Sequence, residues 1–258
     1  MAPTDLISTD HLRFERTPMP MAAMAVDYGH NTFIASHRHR RAQLLYAIEG
    51  VMIVAAPSGR WVVPPTRGVW LAAGLEHTVQ MSGNVKMRTV FVEPDAAKLP
   101  QASCVVDISP LVRELILAAI AIPLDYAPDS RDARLMRLLL DELTALPVLP
   151  LYLSWPRDAR LARVCDRLVQ TPADAATLDD WAREVSLSAK TFQRRFAAET
   201  GITFGRWRQQ ARLLQALEAL AHGEKIVNVA LDHGYASQSA FAAMFKRHFG
   251  VPPSAFYR

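Results

Sequence analysis

The sequence predicts an α+β chain: an antiparallel β-barrel at the N-terminal end, then helices, then an all-α domain carrying two helix-turn-helix units. Three observations carry that reading. Residues 21–95 are rich in Val, Ile, Tyr, Trp and Thr, are broken by Gly and Pro, and show no helical period of useful length. From Ser109 onward, apolar residues recur at helical spacing. In the last third, one segment occurs twice.

The elements follow in order. The stretch MAPTDLISTDHLRFERTPMP contains acids and has no apolar core segment, so no signal peptide is expected. LLYAIEG, VMIVAAPSG, RWVVPP, GVWLAAG and VKMRTVFVEP read as short strands, with a hairpin turn at APSGRW. SPLVRELILAAIAI begins with Ser109 as N-cap and Pro110 at the first helical position. DSRDARLMRLLLDELTAL reads as a second helix with Leu135, Leu138, Leu139, Glu142, Leu143 and Leu146 along one face. Both helices suit a core or a dimer interface. VLPLYLSWP (148–156), with a proline at its end and another near its start, reads as a linker. The expected division is a barrel at 1–108, a helical dimerisation region and linker at 109–156, and the paired units at 157–258.

Composition bounds the possibilities. The 258 residues, half of them hydrophobic, suffice for one large or two ordinary domains. The longest apolar run, LILAAIAIPL (115–124), is too short for a bilayer and contains a proline. Cys104 and Cys165 lie far apart with no CxxC spacing, which fits ordinary thiols in a reducing cytoplasm. The net charge of +4 is uneven: residues 157–258 hold 15 Lys or Arg against 10 Asp or Glu, and residues 1–156 hold 14 against 15. The excess of positive charge therefore sits with the helical end, where it suits a polyanion.

The repeat sharpens this. SAKTFQRRFAAETG (188–201) and SQSAFAAMFKRHFG (237–250) align Ser188 with Ser237, Phe192 with Phe241, Phe196 with Phe245 and Gly201 with Gly250, each pair 49 positions apart. Each copy has a capping serine, aromatics at i and i+4, and a terminating glycine. Each follows a short helix: TLDDWAREVSLS packs Leu178, Trp181, Ala182 and Val185, and IVNVALDHGYAS packs Ile226, Val229 and Ala230 before turning at Gly234. A helix, a turn and a second helix make the helix-turn-helix layout, here in two copies joined by FGRWRQQARLLQALEALAHG (204–223). With the Phe pair inward, Lys190, Thr191, Gln193 and Arg194 face other directions and can reach base edges and phosphates in a major groove. Gln238, Ser239, Ala242 and Lys246 hold the comparable surface of the second copy. The first unit is expected to give more specificity and the second more positioning.

These segments, with LDDWAREVSLSAKTFQRRFAAETGITFGRW, RLLQALEAL and the terminal FGVPPSAFYR, closely resemble the DNA-binding domain of AraC/XylS-type transcription regulators. The resemblance implies Lys190, Gln193 and Arg194 as readers in the first unit, and Gln238 and Ser239 in the second. Such proteins often carry a contacting Arg just after the position of Ala242; Ala243 stands there instead. The N-terminal part resembles the cupin-like sensor domains of such regulators. His37, His39, Gln43 and Gly50 match cupin motif one, with Gln in place of Glu, and AAGLEH, with Gly74 and His77, matches motif two with Ala72 in place of Pro. The resemblance implies operator DNA, a small-molecule or metal effector and RNA polymerase as partners, and a homodimer as the working form.

The stretch HRHRRAQ is then a candidate site. On one strand His37, His39 and Gln43 share parity and point one way. With His77 from a neighbouring strand, they are candidate ligands for a divalent metal, or the polar wall of an effector pocket. The same residues also suit an exposed strand end. Trp61, Trp70 and Tyr46 are candidates to line the pocket or to fill the core. A metal-dependent cupin oxygenase or isomerase is the rival function. Against an enzyme stand the roughly hundred residues matched to DNA binding and the lack of a phosphate-binding Gly loop, a G-x-S-x-G or an assignable cysteine nucleophile. A DNA-packaging protein without sequence preference is a third reading.

Overall fold

The structure is a computed structural model describing residues 11–149 and 151–256. The first ten residues, part of the stretch read above as carrying no leader, lie outside it, as do Pro150 and the last two residues of the terminal motif. Contacts divide the chain into two units: residues up to Ala56 with Val63–Leu151, and Pro57–Val62 with the chain from Tyr152 onward.

In chain order the first unit holds α1 (His11–Arg16), β1 (Met21–Tyr28), β2 (Phe33–His37), β3 (Ala42–Ala47) and β4 (Val51–Ala56). β5 (Gly59–Val63) lies mostly in the second unit. The first unit resumes with β6 (Arg67–Leu71), β7 (His77–Ser82), β8 (Val85–Val92), β9 (Cys104–Asp107), α2 (Pro110–Ala119), α3 (Arg131–Thr144) and β10 (Val148–Leu149). One sheet runs β1-β8-β3-β6-β9-β10. In the other, β7 lies between β4 and β2, antiparallel to both. Residues of β1, β3 and β8 and residues of β2 and β7 line one cavity, so the two sheets face each other. This matches the antiparallel β architecture that the short, turn-separated strands predict.

The central strand β3 is buried at every position because both its faces are covered. Gln43 and Leu45 point into the cavity between the sheets. Leu44 and Tyr46 point the other way, into a cluster with Trp70, Val90, Ile116 and Leu139. Both helices in that cluster start as their sequences predict. Ser109 accepts a hydrogen bond from the Val112 amide ahead of α2, and Ser130 accepts one from Ala133 ahead of α3. Truncating a fully buried residue such as Leu139 to Ala would cost about 2–5 kcal/mol.

Two expectations are corrected. α3 buries Met136, Leu139 and Leu143, and Leu138 is 44% exposed. Leu135, Leu139, Leu143 and Leu146 face the core as read, and the correction is one of edge: Met136 is buried where Leu138 was expected, since Leu favours helices whether buried or not. The segment read as a linker contains β10 and β11 (Tyr152–Ser154). β10 pairs with β9 and β11 with β5, because an extended segment finds ladder partners for its backbone groups at strand edges.

The second unit continues with α4 (Ala159–Gln170), α5 (Leu178–Glu184), α6 (Ala189–Thr200), α7 (Phe204–Ala221), α8 (Ile226–Asp232), α9 (Gln238–Phe249) and a 3-10 turn at Pro253–Ala255. Phe192 and Phe196 of α6 pack edge-on against Phe204 at 4.9 and 5.3 Å between ring centres. Phe241 and Phe245 of α9 form the matching cluster with Tyr235 and Phe256.

Candidate metal centre and nucleic-acid interface

β2 ends at His37 in one sheet, and β3 begins at Ala42 in the other. The intervening residues cross between sheets, so His37, His39 and Gln43 do not share a single strand. They converge all the same. A register shift between Ile34 and His37 sets His37 opposite His77 of β7. Gly74, in the left-handed region at φ 78°, donates its N–H to the His39 carbonyl at 2.8 Å, which draws the loop before His77 against His39. One ring nitrogen from each of His37, His39 and His77 lies within 4.8 Å of the others. Gln43 lines the same cavity, whose free space is about 60 Å³ and whose remaining walls are largely apolar, including Met24, Ile34 and Phe91.

Each imidazole has an acceptor at Nδ1. For His37 it is the Ala35 carbonyl at 2.8 Å, for His77 the Leu75 carbonyl at 2.9 Å, and for His39 the Glu15 carboxylate at 2.7 Å. An acceptor there favours the tautomer with hydrogen on Nδ1 and a lone pair on Nε2, the arrangement of metal-binding histidines. Burial, opposed by the Leu75 carbonyl and helped by the neighbouring His37 and His39, holds the His77 pKa down to about 4, so His77 is neutral at pH 7. His77 Nε2 and Gln43 Oε1 are buried without a hydrogen-bond partner among the described residues. Leaving such groups unsatisfied costs about 1–3 kcal/mol each. Three imidazoles and an amide oxygen fit a first-row divalent ion better than calcium or magnesium, which take oxygen ligands.

The other residues of the stretch are structural. Arg41 is buried and pairs with Glu93 at 2.9 Å, and Arg40 reaches the same carboxylate at 2.6 Å. Trp70 and Tyr46 belong to the helix-side core, and Trp61 packs beside Tyr152 in the second unit, so none of the three lines the cavity. Glu15 carries no mark in the sequence. It lies 24 residues from His39, in a short helix with no motif to mark it.

In the second unit Lys190, Gln193 and Arg194 of α6 are exposed, and none is held by a hydrogen bond or ion pair among the described residues. Thr191 is half-buried and belongs to the cap: its amide donates to Ser188 Oγ, and its hydroxyl accepts from it at 2.9 Å. Arg195 turns aside to Asp158 at 3.4 Å. On α9, Gln238, Ser239 and Lys246 are exposed, Ala242 is half-buried and Ala243 is open to solvent. The surface charge on α6 and the aromatic cores beneath both helices are what a pair of groove-reading units requires.

Comparison with known proteins gives the family. The AraC-like ligand binding domain family matches residues 23–189, and a helix-turn-helix domain family matches residues 181–258. The HTH-type transcriptional regulator NimR of Escherichia coli K12 is 33% identical over 220 residues, covering 85% of this chain and 81% of that protein. The chain belongs to the AraC/XylS family of transcription regulators. RipA of Corynebacterium diphtheriae is 34% identical over 128 residues, covering 50% of this chain and 36% of that protein. Among solved structures, fatty acid-bound ToxT of Vibrio cholerae aligns at 12% identity with a TM-score of 0.39, over 92% of this chain and 94% of that one.

As a member of this family the chain is a DNA-binding transcription regulator with a ligand-binding domain. Residues 23–189 include the whole histidine cluster and its cavity, and residues 181–258 include α6, α8 and α9. None of the helices among the described residues is long and apolar enough to cross a membrane.

Proposed function

We propose that this regulator is a cytoplasmic, non-enzymatic sensor of a first-row divalent metal, held by His37, His39 and His77 with Gln43 as the fourth donor. The observation that carries the reading is the set of three imidazoles, each with an Nδ1 acceptor, around a cavity with free space of about 60 Å³. Sites for drug-sized organic ligands run to about 300–1,000 Å³, so this space favours an ion with one or two small co-ligands over a large effector. When bound, the metal supplies positive charge at the two orphaned buried acceptors, and the protein supplies the neutral donors that receive it. Occupancy must favour one of two states of the protein for the signal to reach DNA.

On the DNA side, Lys190, Gln193 and Arg194 read bases, Gln238 and Ser239 read less, Lys246 positions the duplex, and Thr191 serves through the Ser188 cap that orients α6. The working form is a homodimer through the α2–α3 region, where Leu111 and Leu138 are half exposed. Selection of bound sequences from random DNA, run with and without zinc, nickel and cobalt salts, tests both halves. A recovered consensus whose affinity responds to one metal is expected. Changing His37, His39 and His77 together to Ala should abolish metal content by elemental analysis and the metal response, while leaving DNA binding. Unchanged metal content rejects the sensor reading, and equal binding to random and selected DNA rejects sequence-specific regulation.

A further inference from the structure

We infer that Glu15 is the positioning residue of the metal centre, and that it ties occupancy of the site to the α1 segment; this rests on the metal reading above. Its carboxylate accepts from His39 Nδ1 at 2.7 Å through one oxygen and from the Arg40 amide at 3.0 Å through the other. Glu15 is 8% exposed, so this carboxylate is a designed part of the interior rather than a surface contact.

The backbone around it is stitched down as firmly. The Glu15 carbonyl accepts from Arg40 Nη2 and Arg41 Nε, each at 3.1 Å, and the Thr17 carbonyl accepts from Arg41 Nη2 at 2.6 Å. The Thr17 hydroxyl donates to the Leu124 carbonyl at 2.5 Å. The stretch between His39 and β3 therefore grips residues 15–17, and the grip passes through the imidazole that would hold the ion.

The charge balance explains why such a residue is needed. Gln43 occupies the place where the related motif has Glu, so the donors of this centre are all neutral. Glu15 restores one negative charge a single imidazole away. A carboxylate behind a ligating histidine fixes its tautomer and raises its basicity. With its Nε2 engaged, His39 would donate more strongly from Nδ1 to Glu15, and α1 would be held more firmly.

Glu15→Gln tests this in the full chain, because the amide keeps the shape and an acceptor but removes the charge. Zinc affinity, measured by competition with a chromophoric chelator, should fall by about 10–100-fold. The visible absorption of the cobalt-loaded protein should shift, and exchange of the Arg40 amide should lose its slowing on zinc addition. Glu15→Asp should recover part of each effect, with circular dichroism showing that both variants fold. If the unaltered chain takes up neither metal, the metal reading fails and this inference with it. If the unaltered chain binds zinc and Glu15→Gln matches it in affinity, cobalt spectrum and Arg40 exchange, only the role of Glu15 is overturned.

Discussion

At matched positions 49 residues apart, α6 carries Lys190, Thr191, Gln193 and Arg194, and α9 carries Ser239, Ala240, Ala242 and Ala243. Below the surface the two units agree. Phe192, Phe196, Phe241 and Phe245 are all fully buried, Ser188 and Ser237 both cap, and Gly201 and Gly250 both close their helices in the left-handed region. The helices that precede them differ. α5 begins with a capping box between Thr177 and Asp180, and α8 begins at Lys225 with no side-chain cap. α5 and α8 are offset by 48 residues rather than 49, so the second turn holds one more residue. The interior repeats because packing two short helices at a fixed angle leaves few solutions. The surfaces are free to diverge, and they do so: α6 presents Lys190, Gln193 and Arg194 where α9 presents Ser239, Ala242 and Ala243.

The largest effect tests the shared interior. Phe192→Ala and Phe241→Ala should each lower stability by about 3–5 kcal/mol in denaturant unfolding. Equal losses confirm that both units are built the same way, and a loss under about half a kcal/mol at either site breaks the equivalence. A smaller effect tests the divergent surfaces. Arg194→Ala should cost about 1–3 kcal/mol of affinity on the selected site and much less on random DNA. Gln238→Ala should cost less than Arg194→Ala on the same site. Similar losses at both positions would mean that the second unit reads as much as the first, and an equal loss for Arg194→Ala on both DNAs would make it a phosphate contact.

The interior of these units was legible because its signals are local: a serine, two aromatics one turn apart, and a glycine. The strands are partly legible: the Ala- and Met-rich β1, the partly polar β2 and β7 and the four-residue β9 lack the runs of β-branched and aromatic residues that mark the others. At the histidine cluster the sequence points to His37, His39 and Gln43, yet by parity along one strand, whereas the chain crosses between sheets there. His77 came from the family resemblance. Glu15 escaped because its contact with His39 spans 24 residues and obeys no spacing. The same distance problem hid the turn difference, which shows only when bonds rather than residue types are aligned.

Those turns give the finest test. Each is closed by a bond reaching back five residues, from the Leu187 amide to the Ala182 carbonyl at 2.8 Å and from the Tyr235 amide to the Ala230 carbonyl at 2.9 Å. The residue before each donor is left-handed: Ser186 at φ 56° in the first unit and Gly234 at φ 74° in the second. A Cβ at Gly234 would also sit 2.8 Å from Arg212 Nη2 and 3.1 Å from the Ala173 Cα. Gly234→Ala should therefore destabilise by about 1–2 kcal/mol, the left-handed penalty, with the contact to Ala173 adding to it. Ser186→Gly removes the same penalty but gives the unfolded chain more freedom, worth about 0.4–1 kcal/mol the other way, so a gain of under about 1 kcal/mol is expected. Thermal melts of both variants decide it. A Ser186→Gly variant less stable than the parent would mean that the serine side chain contributes to the first turn, and the two turns would then be held by different means.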